Sequence, residues 1–108
     1  MNSWQFWAVI GALEGKTLKT LDRLQPFDVV AVDSAKIIVR PHKSGKERPI
    51  KREVVEGAWS DLMRRRELTR NDIRERYSQF NPAYVAAILA AVPDVDYRIR
   101  PIRLNIRS

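Results

Sequence analysis

TRNDIRERYSQFNPAYVAAILAAVP, residues 69–93, contains two helix starts in close succession, and the fold turns on them. Thr69 is a helix-capping residue, and Asp72 three positions on is a shorter version of the acid that completes a capping box. Ile73 and Tyr77 then fall on one face, which predicts a short helix over about 70–77. Asn81-Pro82 is a second start, because Asn favours the cap and Pro favours the first helical position, where its missing N–H costs nothing. This helix is expected to run to about Ala91, since Pro93 disfavours helical geometry at Val92. Two short helices joined by about four residues form a helix-turn-helix unit.

Upstream, Val54, Val55, Ala58, Trp59, Leu62 and Met63 lie on one face of a helix expected over about 52–66. Its acids, Glu53, Glu56 and Asp61, lie toward the start and Arg64 to Arg66 at the end, the order that a helix dipole favours. Downstream, apolar and basic residues alternate in Tyr97-Ile99 with Arg98-Arg100, and again from Ile102 to Arg107. Each stretch reads as a strand with an apolar face and an arginine face, and Pro101 marks a bulge, edge or turn between them.

Over about residues 52–107 this succession resembles the winged helix-turn-helix superfamily, with Leu68-Thr69, Asp72-Ile73, Tyr84-Val85 and Ile88-Leu89 as its skeleton and 95–106 as wing-like strands. No particular family within it is indicated. The resemblance implies that the third helix enters a major groove and that the wing lies along the backbone. Gln79, Asn81 and Tyr84 are then the candidate base readers, since Gln and Asn can bond adenine in bidentate fashion. Asn81 has a competing role as a plain helix cap. Residues 77–93 contain no Lys or Arg, which departs from the usual sequence reader. With Val85, Ile88, Leu89 and Val92 facing the core, Ala83, Ala86, Ala87, Ala90 and Ala91 would cover much of the rest. That alanine face suits methyl contacts in a groove or tight packing against a protein.

Toward the N-terminus, Ser3 is a possible cap for a helix carrying Trp4, Trp7, Ile10 and Leu13, with Gly15 as its stop. Its aromatic residues Trp4, Phe6 and Trp7 pack on the chain's own core or form a homodimer contact. Residues 17–26 read as a short strand or a turn. The runs 27–33 and 36–40 are rich in β-branched residues and separated by Ser34-Ala35, which predicts a hairpin, and 47–51 adds a third strand after the 41–46 loop. The whole is expected to be one α+β domain: an N-terminal helix (1–15), a β-meander (17–51) and a winged-helix-like unit (52–107).

The 108 residues carry 20 Lys and Arg against 13 Asp and Glu, a formal charge of +7, which attracts phosphates, anionic surfaces or acidic proteins. The excess is uneven: 36–52 holds Lys36, Arg40, Lys43, Lys46, Arg48, Lys51 and Arg52 against the single acid Glu47. There is no Cys and one His, His42, so disulfides and the common zinc sites are excluded, and no cofactor or metal is expected. The sequence lacks a glycine-rich phosphate loop and a placed acid/base pair, so no enzyme activity is expected. No apolar run approaches a membrane span and the start lacks a basic leader, so the expected location is cytoplasmic.

The expected partner is nucleic acid, double-stranded DNA foremost. Lys43, Lys46, Arg48, Lys51, Arg52, Arg70, Arg74, Arg98, Arg100 and Arg103 would meet phosphates, which set affinity without reading sequence. Such a protein would act in regulation or as an accessory to a DNA-processing complex. The rival reading is a docking module with the same fold, of the kind a phage or mobile element directs at a host complex, with the alanine-rich helix 82–91 as its protein-binding surface.

Overall fold

A computed structural model describes residues 1–107. The first helix, α1 (Ser3–Gly11), is capped by Asn2, whose side chain accepts from Gln5 N–H while Gln5 bonds back to Asn2 N–H. The capping residue is thus Asn2 and not Ser3, whose hydroxyl is turned to the Glu56 carboxylate. Phe6, Trp7 and Ile10 are buried. Phe6 stacks on Trp59 with ring centroids 4.4 Å apart, and Trp7 Nε1 donates to the Asp33 carbonyl at 2.7 Å. Of the three aromatic residues considered for a dimer contact, two are therefore interior, and Trp4 alone is exposed.

Four antiparallel strands follow in sequential order: β1 (Thr17–Lys19), β2 (Pro26–Val32), β3 (Lys36–Pro41) and β4 (Arg48–Lys51). The open reading of 17–26 resolves into a strand followed by a turn. Period-two alternation puts Phe27, Val29, Ile37, Val39 and Ile50 on the buried face. Thr17, Asp28 and Arg40 share the other face, as do Lys36 and Lys51.

The remaining elements are α2 (Arg52–Arg65), β5 (Glu67–Thr69), α3 (Arg70–Arg76), α4 (Pro82–Ala90), β6 (Val95–Arg98) and β7 (Arg103–Ile106). The last two strands and β5 form an antiparallel sheet in the order β5-β7-β6. Thr69 caps α3 through a complete capping box with Asp72, as its sequence indicates. Residues 77–81 separate α3 from α4, so the two are distinct helices. Residues 99–102 form the turn between β6 and β7, around Pro101.

Asp61, 2% exposed, ties α2 to α3. Its carboxylate accepts from Arg64 at 2.6 Å, Arg76 at 3.2 Å and the Tyr77 hydroxyl at 2.9 Å, with Arg65 at 3.6 Å. Burial pushes this carboxyl up, but the Tyr77 hydroxyl and the Arg64 and Arg65 guanidinium groups outweigh it and hold it below the ordinary value. Tyr77 is raised by burial and by that same carboxylate. Gly57 on α2 makes room for the Tyr77 ring, since a Cβ there would lie 3.0 Å from Tyr77 Cε1.

A buried hydrogen-bonded carboxylate and a half-open arginine differ in what their loss costs. Asp61→Asn is expected to lower unfolding free energy by about 2 kcal/mol, because several bonds to a charged group are weakened together. Arg64→Ala, at a side chain 74% exposed, is expected to cost less than about 1 kcal/mol. Urea unfolding of both variants measures the difference, and equal costs would contradict the assignment of Asp61 as the joint.

Candidate nucleic-acid interface

The surface around the start of α4 is built by the meander. Phe27 pairs with Pro41 across β2 and β3, so the 42–47 loop leaves the sheet at the end where Phe27 packs. Phe27 meets Tyr84 of α4 edge-on, with centroids 5.1 Å apart. Arg48, the first residue of β4, lies opposite Val39 on the inner face. Its guanidinium carbon lies 5.6 Å from the Tyr84 ring centroid, and Nη1 donates to Asn81 Oδ1 at 3.4 Å. The loop itself is folded by a Gly45 N–H bond to the Pro41 carbonyl at 2.8 Å, with Gly45 at φ +67°, where a side chain would be strained. Lys43 and Lys46 are exposed on this loop, and neither has a carboxylate partner among the described residues.

At the same end of the sheet, Asp28 takes up Arg40 and the His42 ring. It accepts from the Thr17 hydroxyl at 2.6 Å, faces a His42 ring nitrogen at 2.9 Å and lies 3.4 Å from Arg40. The Thr17 bond and then His42 hold its carboxyl down at about 2, against a small opposing effect of burial. Asp28 is therefore ionised at neutral pH and counters Arg40, whereas Lys43, Lys46 and Arg48 have no carboxylate partner among the described residues.

Asn81 and Tyr84, two of the candidate readers, are engaged inside the fold. Asn81 makes no side-chain cap; its amide oxygen accepts from Arg48, and its backbone N–H is bonded by Ser78 Oγ at 3.1 Å. Tyr84 lies between Phe27 and Arg48. Gln79, by contrast, is exposed on the α3–α4 link. With Arg74, Glu75, Arg76, Tyr77 and Phe80 it lines an open concavity of about 790 Å³.

The expectation that α4 enters a groove, or docks a partner through its alanines, does not survive the geometry. Pro82 and Val85 through Leu89 are buried, including Ala86 and Ala87, and Ala83, Tyr84 and Ala90 are half-buried. The helix packs against α2, α3 and β6 and also against β1 of the meander. A helix that is apolar all round is an interior helix, which accounts for the absence of Lys and Arg from 77–93.

The basic cluster expected over 43–52 is divided. Lys51 lies at the opposite end of β4 from Arg48, facing Lys36 across the sheet. Arg52 is committed to Glu56 at 2.6 Å and to the Ser34 carbonyl at 3.1 Å, with its guanidinium 5.2 Å from the Trp7 ring. On α3, Arg70 pairs with Asp22 at 3.4 Å, and Arg74 donates only to the Asn71 side chain at 2.9 Å. The backbone N–H of Arg70 bonds the Ile102 carbonyl, which brings the β6–β7 turn against the start of α3. There Arg98 and Arg103 are directly opposed across the strands. Arg103 is bridged to Glu67 at 2.9 Å, whereas Arg98 and Arg100 have no carboxylate partner among the described residues.

Comparison with family models, with curated proteins and with solved structures finds no match. The exposed candidate groups lie in three places: Arg98 and Arg100 at the β6–β7 turn with Arg103 and the start of α3 beside it, Arg74 with Gln79 and Phe80 around the concavity at the end of α3, and Lys43 and Lys46 on the loop that leads to Arg48, which bonds Asn81. No group of three or more His, Cys, Asp or Glu able to hold a metal occurs among the described residues, and no helix is long and apolar enough to cross a membrane.

Two residues of consequence escaped sequence reading. Asp61 looked like one more acid on an amphipathic helix, and nothing in its spacing signals that three arginines and a tyrosine converge on it. Phe80, 81% exposed, could have been noticed as an aromatic residue that fits neither helix's apolar face. Ala87→Lys discriminates an interior α4 from an exposed one. With Ala87 at 5% exposure, an unpaired charge there is expected to cost about 3 kcal/mol or more. Thermal unfolding close to that of the unmodified chain would show that α4 has a free face.

Proposed function

We propose that this chain is a non-catalytic nucleic-acid-binding domain that holds the phosphate backbone, of double-stranded DNA foremost, on the cationic belt from the β6–β7 turn along α3 to the 42–48 loop. The observation that carries this reading is the bridge from Arg48 to Asn81, which joins the 42–48 loop to the link between α3 and α4. Without it the basic residues of the meander and those of the helical unit would be separate patches.

Charge accounting supports the same reading. Among the described residues nine of the 20 Lys and Arg are paired with carboxylates: Lys36, Arg40, Arg52, Arg64, Arg65, Arg70, Arg76, Arg103 and Arg107. Of the unpaired ones, Lys43, Lys46, Arg48, Arg74, Arg98 and Arg100 lie on the belt. Cations without internal partners bind phosphate with no ion pair to break, and the release of condensed counterions then drives association. The exposed pairs at Arg70 and Arg103 are weak in water and can be exchanged for phosphate.

The succession of α2, β5, α3, α4, β6 and β7, with β7 between β5 and β6, supports a winged-helix reading of residues 52–107. In that reading β6 and β7 are the wing. Its usual reading helix is interior here, so affinity comes from phosphates and Gln79 alone of the three candidate readers faces solvent. The docking reading has one observation of its own, the exposed apolar side chains Met1, Trp4 and Met63 near one another in chain or crevice. It does not account for the belt.

Replacement of Arg98, Arg100 and Arg103 together by Ala is expected to weaken binding to all duplex sequences alike. It should lower the slope of log K against log salt by about 2–3, since each phosphate contact contributes roughly 0.9. Gln79→Ala is expected to leave that slope unchanged. Fluorescence anisotropy on random duplex at several salt concentrations measures both, and a slope unaltered in the triple variant removes the wing from the interface.

A further inference from the structure

We infer that Phe80 is a stacking platform for an unpaired base, so that the belt favours nucleic acid at a point where a strand leaves the duplex. This rests on the phosphate-binding reading above and specifies the substrate for that same surface.

A lone exposed aromatic side chain is ordinary, and three observations separate Phe80 from that case. First, the link that carries it is bonded on both sides of the ring. Tyr77 N–H and Ser78 N–H both donate to the Ile73 carbonyl, at 3.0 and 2.8 Å, and Ser78 Oγ accepts from Asn81 N–H at 3.1 Å. Phe80, 81% exposed, sits between these bonded residues, and Asn81 is further bonded to Arg48. Second, the ring stands at the wall of a concavity of about 790 Å³ and not on a convex surface. Third, the polar groups around it suit a nucleotide. Arg74 has only a neutral partner, Asn71, and is available to a phosphate. Gln79 offers both a donor and an acceptor to a base edge. Glu75, the one carboxylate of the concavity, accepts from the Asn71 amide at 3.2 Å.

The chemistry of the ring decides which nucleic acid it serves. In a duplex both faces of every internal base are covered by its neighbours, so an aromatic side chain finds no partner there. Every unpaired base presents a π-face, and stacking on it is tolerant of sequence. Arg74, without a carboxylate partner, lines the same concavity as the ring, and Arg48 bonds the next residue in the chain, Asn81. A strand with its phosphates on these two would carry a base over Phe80.

The test compares three probes with the full chain: a blunt duplex, the same duplex with a single-stranded tail of about ten nucleotides, and that duplex with an abasic tail of equal length. The unmodified protein is expected to bind the tailed duplex more tightly than the other two. Phe80→Ala should reduce affinity for the tailed duplex about five- to hundredfold and leave the blunt duplex unchanged, since stacking is worth roughly 1–3 kcal/mol per base. Phe80→Trp should retain the preference, which separates stacking from a folding defect. Equal binding of the base-bearing and abasic tails, or an unaltered preference in Phe80→Ala, overturns the inference and leaves the phosphate reading standing. Failure of the unmodified protein to bind any of the three overturns both.

Discussion

Burial of α4, complete from Val85 to Leu89 and partial at Ala83, Tyr84 and Ala90, is the constraint from which the rest of the structure follows. Val85, Ile88 and Leu89 are fully buried, and removal of each from water contributes roughly 1.5–3 kcal/mol. The surface that covers them comes from two parts of the chain. The helical unit supplies α2, α3 and β6, and the meander supplies β1 together with the Phe27 ring on Tyr84. Each part hides apolar surface that the other would otherwise expose, so α4 joins them. The same burial excludes charge from the helix and moves the polar work of the chain to its periphery.

Electrostatics divides the surface in a matching way. Acids concentrate where elements must be fixed: Asp61 between α2 and α3, Asp72 at the start of α3, Asp28 across three strands of the meander. Cations near these acids are consumed in holding the fold. Those on loops and turns, Lys43, Lys46, Arg98 and Arg100, lie beyond reach of any carboxylate among the described residues. They support the proposed phosphate belt because their charge is not already spent within the molecule.

Most local signals in the chain were legible, the cap of α1 at Asn2 in place of Ser3 and the absence of a side-chain cap at Asn81 being the exceptions. Capping by Thr69 and Asp72, helix initiation at Asn81-Pro82, the Ser34-Ala35 hairpin and the turn at Pro101 each depend on a few adjacent residues, and each was readable. The three-residue strands β1 and β5 were not assigned, because no periodicity develops over so short a span. The role of α4 was missed for a different reason. Its apolar and alanine residues are compatible with a helix exposed on one face, and only the tertiary packing of the meander against Tyr84 shows that both faces are covered. Likewise the contact of Arg48 with Asn81, 33 positions away, is one that no spacing rule encodes.

Backbone amide resonances of isotope-labelled protein, followed while duplex DNA is added at low salt, test the central claim most directly. The account predicts that shifts concentrate in residues 43–48, 70–80 and 98–103 and that Val85 to Leu89 remain unperturbed. Shifts centred on α4, or none anywhere at duplex concentrations that saturate ordinary non-specific binding, would contradict it.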